Sequence, residues 1–200
     1  MQQTTDRSRP QGEILHPAAS GPEGRAVPLR QLASDAHRIK ELCDLLEALA
    51  DDLPRRSPAV WREASRLSST VLPRHFQAVS TVLLPCLSET APQSAVMRPA
   101  LAQLQRDFDD CTACLPELAD LLEQASGTGP SDLPPEAVGY ALRCFFAEIR
   151  RQIAWEETVV LPLAFETCRP VDLDLLGLWL VSHPAPPMRT GAEICSQIKA

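Results

Sequence analysis

Two stretches of this sequence resemble each other, and each carries half of a pattern that could bind a metal ion. The first reads RHFQAVSTVLLP from Arg74, and the second reads RQIAWEETVVLP from Arg151, 77 positions further on. The ligand positions are His75 and Val79 in the first copy and Gln152 and Glu156 in the second. A histidine and a carboxylate four residues apart share a helix face and can bind one ion together. We interpret the repeat as a duplicated His-x-x-x-Glu motif in which each copy has lost the opposite half.

Two further polar residues lie in apolar, helix-like segments at a similar depth. They are His37 in the first segment and Asp107 in the third. Helical bundles hold iron or manganese through imidazoles and carboxylates that project from facing helices. The candidate metal ligands are therefore His37, His75, Asp107 and Glu156, one from each helix. The alternative is that these four groups hydrogen-bond in the core or face solvent.

Apolar residues recur at helical spacing in four long segments and one short one. A cap at Ser34 or Asp35 predicts a first helix that ends near Asp52. The other helices are expected over residues 59–84, 97–122, 136–163 and 171–181. Pro73 and Pro116 fall inside two of them, and we expect a kink or a break at the first and a kink at the second.

These segments predict an all-α protein, because no stretch alternates with period two for long enough to be a strand. The expected architecture is an up-down-up-down four-helix bundle over residues 28–168. Residues 1–27 are rich in Pro, Gly, Gln and charge and are expected to be a disordered leader. Residues 169–200 are expected to form the short helix and a Pro-rich tail.

The composition argues against several classes of function. The net charge is −7 and the basic residues form no long run, which argues against a nucleic-acid partner. No apolar run approaches the roughly 20 residues that span a bilayer, and the N-terminus lacks a secretory signal. Seven cysteines, an odd number, favour reduced thiols and a cytoplasmic location. No phosphate-binding loop, nucleophile elbow or dinucleotide fingerprint is present, so we expect no enzyme of those classes.

Four stretches carry a resemblance to a known family: SDAHRIKEL, RHFQAVSTVLLP, LQRDFDDC and IAWEETVVLPLA, within residues 28–190. They resemble the four helices of the hemerythrin-like domain, the HHE cation-binding family. The resemblance implies a His on the first and third helices and His-x-x-x-Glu on the second and fourth, around a non-haem di-iron pair. His37, His75 and Glu156 match that pattern, and Asp107 stands at the position of the third-helix histidine.

Three positions depart from the family pattern: Val79 replaces a bridging glutamate, Gln152 a histidine and Cys111 a carboxylate. Two divalent ions close together need negative charge between them, and one bridging carboxylate is gone. Three outcomes are open: no metal, one ion held by the four candidates, or a di-iron pair.

The resemblance implies a cytoplasmic bacterial hemerythrin-like protein with a depleted site. Its expected role is regulatory or structural, with at most one bound metal ion and no catalysis. The alternative is a working iron protein that binds O2 or NO, or that senses or stores iron, through an unorthodox ligand set. A helical module that binds a protein partner, which the sequence does not identify, is a third hypothesis.

Cys111 and Cys114 form a C-x-x-C pattern inside the third helix. No second cysteine pair or thioredoxin-like setting accompanies them, so we predict that both sulfurs pack in the core. Oxidation sensing is the alternative, and it would need an exposed thiol with a lowered pKa.

Overall fold

The structure is a computed structural model that describes residues 26–53, 57–90, 96–126 and 133–185. Within these ranges the chain is helical and has no strand. The α-helices are α1 (Val27–Asp51), α2 (Pro58–Ala78), α3 (Leu84–Thr90), α4 (Met97–Ser126), α5 (Pro135–Trp155), α6 (Leu161–Thr167) and α7 (Pro170–Ser182). A first π segment (Val79–Leu83) joins α2 to α3, and a second π segment (Glu156–Val160) joins α5 to α6.

The prediction of an all-α protein is confirmed, and α7 closely matches the predicted short helix. The up-down-up-down order of four helices stays a prediction. Most of the predicted leader, residues 1–25, lies outside the described residues, as do residues 186–200 of the predicted tail.

The first helix begins earlier than the sequence predicted. It starts at Val27, with Pro28 in its first turn, where the missing N–H of proline costs no helical hydrogen bond. Ser34 and Asp35 therefore do not cap the helix but lie inside it, and Asp35 is buried. The cap prediction was wrong because a proline two turns upstream was the stronger start signal.

Both internal prolines lie within continuous helices. Pro73 is inside α2 and Pro116 is inside α4, so the break allowed for at Pro73 does not occur. Each proline still lacks an N–H, which leaves the carbonyl four residues earlier without its helical donor. Those carbonyls belong to Ser69 and Thr112.

The two π segments lie at equivalent positions of the sequence repeat. They begin at Val79 and Glu156, which are 77 residues apart, as the two copies are. Each ends with a hydrogen bond across five residues, from Leu84 N–H to the Val79 carbonyl and from Leu161 N–H to the Glu156 carbonyl. π turns are rare and often occur at functional sites. The sequence repeat is therefore accompanied by a repeat in the backbone.

The long helices pack around one hydrophobic core. α2 packs chiefly against α4, and α1 packs chiefly against α5. Phe76 of α2 and Phe108 of α4 meet edge to face, with ring centroids 5.5 Å apart, a favourable aromatic geometry. α7 covers one end of the bundle, against α1, α2 and the first π segment. Among the described helices, none is long and apolar enough to cross a membrane.

Candidate functional site

The two surviving halves of the repeated motif contact each other inside the core. Nε2 of His75 lies 2.6 Å from Oε2 of Glu156, and both side chains are completely buried. A contact of this length between an imidazole and a carboxylate is a strong, charge-assisted hydrogen bond. His75 is in α2 and Glu156 opens the second π segment, so the bond joins the two copies of the repeat.

Apolar neighbours hold both residues inward. The residues around His75 and Glu156 on their helices that are fully or almost fully buried are Leu72, Phe76, Val79, Ile153 and Val160. Positions three and four residues apart share a helix face, so these neighbours fix the direction of the polar side chains. The sequence pattern therefore predicted the inward orientation of His75 and Glu156, and the prediction is confirmed.

Three polar atoms at this site have no hydrogen-bond partner among the described residues: Nδ1 of His75, Oε1 of Glu156 and Oε1 of Gln152. Gln152 is fully buried and lies one turn before Glu156. Its Nε2 donates to Oε1 of Glu148 over 3.3 Å. Unpartnered buried polar atoms are costly, at roughly 1–3 kcal/mol each, so this is an unusual concentration of them.

Glu148 connects the buried site to the surface of α5. The Arg151 guanidinium donates to both carboxylate oxygens of Glu148, and this hydrogen bonding holds the pKa of that carboxyl below its ordinary value. Glu148 therefore stays ionised beside the buried Gln152 amide at neutral pH.

His37 does not belong to the site. Its side chain is 74% exposed, and its Nε2 lies 3.9 Å from Oε1 of Glu41, one turn further along α1. The residues of α1 that face the core include Asp35, Ala36 and Ile39. The expectation that His37 points inward is wrong, because it lies on the opposite side of that helix.

Asp107 also stays apart from His75 and Glu156. It accepts a hydrogen bond of 2.7 Å from Nε2 of Gln103 and lies 3.8 Å from Nη1 of Arg151. Its side chain is partly buried at the edge of α4. These contacts give the carboxylate the role of a surface helix-face charge.

The four predicted ligands are thus not gathered at one point, and the structure brings together His75 and Glu156 alone. Over residues 26–53, 57–90, 96–126 and 133–185, no cluster of three or more His, Cys, Asp or Glu side chains could hold a metal ion. Metal binding by this chain stays a prediction, and its residue set is smaller than the sequence suggested.

Sequence analysis missed a second buried ion pair, next to the first. Nη1 of Arg74 lies 2.5 Å from Oδ2 of Asp35, and both side chains are almost completely buried. Nε of Arg74 also donates to the backbone carbonyl of His183, just beyond α7. An arginine inside an apolar helical stretch was the available signal, and it pointed to a partner that sequence alone could not identify.

The C-x-x-C prediction is half right. Cys111 is buried, whereas Cys114 is exposed one turn later on α4. Burial, followed by the charge of Glu148, raises the pKa of the Cys111 thiol to about 12. Cys111 is therefore a protonated thiol at neutral pH.

The chain was compared with known protein families, with curated proteins and with solved structures, and none of them matches it.

Proposed function

We propose that this protein is a hemerythrin-like bundle in which the metal centre has been reduced to a direct contact between His75 and Glu156. Its role is regulatory or structural, and it binds at most one metal ion. The observation that carries the proposal is the 2.6 Å bond between these two fully buried groups. The bond occupies one possible metal-binding atom of each group, Nε2 of His75 and Oε2 of Glu156.

The residues present do not fit a binuclear centre. The positions equivalent to Glu156 and His75 in the other copy are Val79, which has no donor atom, and Gln152, which offers one amide oxygen. Two divalent ions would then face one imidazole and one carboxylate, too little negative charge for their repulsion. His37 lies near Glu41 and Asp107 accepts a hydrogen bond from Gln103, so neither supplies the missing ligands.

The paired π segments support descent from a duplicated metal motif. Each begins at the glutamate position of its copy, Val79 in one and Glu156 in the other. A π turn in the same register of both copies is unexpected in a helix that serves packing alone, since such turns are rare outside functional sites. On this proposal the two π segments remain although half of the metal-binding residues have been replaced.

A second candidate function is a working iron protein that binds O2 or NO, or that senses or stores iron. The observation in its favour is the three unpartnered atoms on His75, Gln152 and Glu156. Groups that are costly to bury without a partner are common where a ligand completes them.

Metal analysis after anaerobic loading with ferrous iron separates the two candidates. We expect at most one iron per chain and no near-ultraviolet band of an oxo-bridged ferric pair. Chelator should lower the thermal unfolding midpoint only in protein that retains that one iron. His37→Ala is the matched control, because an exposed histidine should not alter iron retention. Two irons per chain, lost on His75→Ala but kept on His37→Ala, would overturn the proposal and establish the second candidate.

A further inference from the structure

A cavity of about 370 Å³ lies between α4 and α5, and neither His75 nor Glu156 lines it. We call it the thiol cavity, because three of its lining residues are cysteines. Its lining includes Cys111, Cys114, Cys144, Phe145, Glu148 and Ile149. Phe145 and Ile149 make part of the wall apolar, while Glu148 places one carboxylate beside the sulfurs.

The three thiols of the cavity have different access to solvent. Cys114 and Cys144 are exposed, and Cys111 is buried behind them. Sγ of Cys111 lies 3.8 Å from Oε1 of Glu148 and donates its proton toward that oxygen. Cysteines that are oxidised reversibly are solvent-accessible and often lie next to a second cysteine that resolves the oxidised sulfur.

The backbone of α4 is weakened at the C-x-x-C sequence. Pro116 has no N–H, so the Thr112 carbonyl lacks its helical donor. The Thr112 hydroxyl also donates to the Phe108 carbonyl over 2.8 Å, a contact that often bends helices. Residues three apart in a helix have Cα atoms roughly 5 Å apart, inside the range that a disulfide tolerates. The local loss of hydrogen bonding gives the turn the freedom to bring the two sulfurs closer.

We propose that the thiol cavity is a peroxide-oxidation site at which Cys114 reacts first and Cys111 closes a disulfide with it. In the first step the Cys114 sulfur attacks one oxygen of a hydroperoxide and the O–O bond breaks. The sulfur is oxidised to a sulfenic acid, and the peroxide's other oxygen takes the thiol proton and leaves as water or an alcohol.

In the second step the Cys111 sulfur attacks the sulfur of Cys114 and the S–O bond breaks. In the same step the proton of Cys111 passes by way of the Glu148 carboxylate to the departing hydroxide, which leaves as water. Two thiols and one peroxide thus give one disulfide and two small hydroxyl products. Glu148 is suited to this transfer because its oxygen already accepts the hydrogen bond from Cys111.

The disulfide is assigned to Cys111 and Cys114 because both belong to the turn that Pro116 weakens. Cys144 lies on α5, the other helix that lines the cavity, so a bond to it would link two helices. Disulfide formation also removes the Cys111 donor from Glu148, whose other donors are Gln152 and Arg151. This oxidation chemistry is independent of any metal at His75 and Glu156.

The sequence provides a clean test by trypsin digestion. Cys111 and Cys114 lie on one tryptic peptide, residues 107–143, and Cys144 begins the next, residues 144–150. The full-length reduced protein is treated with equimolar hydrogen peroxide, alkylated and digested. We expect peptide 107–143 to become lighter by two hydrogen atoms with both thiols blocked to alkylation, while peptide 144–150 stays alkylated. A cross-link between the two peptides, or oxidation spread evenly over all cysteines, would overturn the assignment.

Three variants test the individual roles. Cys111→Ser should trap a sulfenic acid on Cys114, detected by a dimedone adduct, and Cys114→Ser should leave Cys111 reduced. Glu148→Gln should lengthen the lifetime of the sulfenic acid about tenfold, as expected for loss of a general base. Since Cys114 is exposed, its serine variant should fold normally, so a disulfide that persists in it refutes the proposal. An unchanged lifetime of the sulfenic acid in Glu148→Gln would show that Glu148 does not carry the proton.

Cys43 is the internal control for selectivity. It is buried, and burial raises the pKa of its thiol to about 12, much as for Cys111. No exposed thiol is assigned to react beside it, so we expect it to remain reduced under the same treatment. Oxidation of Cys43 at the rate of Cys114 would show that the protein unfolds during the reaction and would count against a built site.

Discussion

The two copies of the repeat share a backbone and differ in their polar contacts. Both pass from an α-helix into a π segment at the same register, at Val79 in one copy and at Glu156 in the other. In the first copy Arg74 is 8% exposed and buried against Asp35, whereas its counterpart Arg151 is 50% exposed and pairs with Glu148. The two copies therefore agree in backbone geometry and differ in side-chain chemistry.

The polar contacts of the two copies show that one bond can join two motifs that are each incomplete. His75 of the first copy and Glu156 of the second complete each other, while Val79 and Gln152 occupy the mirrored positions without a charge. The core therefore holds one contact between residues of different copies, and the mirrored positions add no charge.

The largest expected effect comes from restoring a lost glutamate by itself. Val79 is completely buried, so Val79→Glu places an unpartnered carboxylate in the core. We expect the free energy of unfolding to fall by about 4–5 kcal/mol, measured by urea denaturation. Adding Gln152→His should recover at least half of that loss by making a mirrored copy of the existing bond. No recovery in the double variant would show that the two copies are not equivalent at this level.

Removing one partner of the existing bond should have the next largest effect. His75→Ala leaves Glu156 buried without its donor, and we expect a loss of about 3–4 kcal/mol. The same loss is expected for Glu156→Ala. Replacing both residues by leucine should restore most of the stability, because well-packed apolar residues often match a buried ion pair. Single variants that unfold at the wild-type urea concentration would contradict a tight contact in solution.

The two equivalent arginines provide a matched pair of substitutions. Arg74→Met leaves Asp35 buried, with Arg38 at 3.7 Å, and we expect it to cost about 2–3 kcal/mol. Arg151→Met removes a largely exposed ion pair and should cost less than about 1 kcal/mol. Chemical unfolding of the two variants side by side measures the asymmetry. Equal losses would mean that the two arginines contribute equally to the free energy of unfolding.

Another small effect is expected outside the repeat, at the start of α7. The Asp172 carboxylate accepts hydrogen bonds from the Arg169 backbone N–H and side chain, and these bonds lower the pKa of Asp172. Asp172→Ala should cost about 1 kcal/mol, as for loss of a helix cap. A lowered folded-state pKa means that this stabilisation is present above pH 4 and is lost as the pH falls through the folded value.

Unfolding measured between pH 7 and pH 3 tests this assignment. The difference between wild type and the Asp172 variant should shrink toward the acid end, because protonation removes the same interaction in the wild type. A difference that stays constant across the range would place the effect in packing and not in charge.

The long helices and the inward His75 and Glu156 were predictable, because both follow from apolar residues at helical spacing. His37 was predicted to face inward, although the helical spacing of the apolar residues argued against it. Steps of three or four residues back from Ile39 reach Ala36 and Asp35, not His37. The error came from giving the motif more weight than the periodicity.

Contacts between distant helices could not be read from spacing. The bond between Asp35 and Arg74 and the cavity shared by α4 and α5 depend on how separate helices face one another. The π segments were also unpredicted, since their residues, such as Val82 and Val160, fit an ordinary helix equally well. Their equivalence became apparent only from the backbone, in which both begin at the same position of the repeat.

Each π segment has a consequence for chain length. A π turn accommodates one residue more than an α turn, so deleting one residue, such as Thr81, would let the chain run on as ordinary α-helix. The wide turn absorbs the extra residue, so the side chains beyond such a deletion would keep their direction about the helix axis. Leu84 and Leu87 would therefore stay buried. A deletion in the regular part of α2 has no extra residue to remove, and it would turn every later side chain of that helix by about 100°. The π segments are therefore the places where this chain can lose one residue and keep its core.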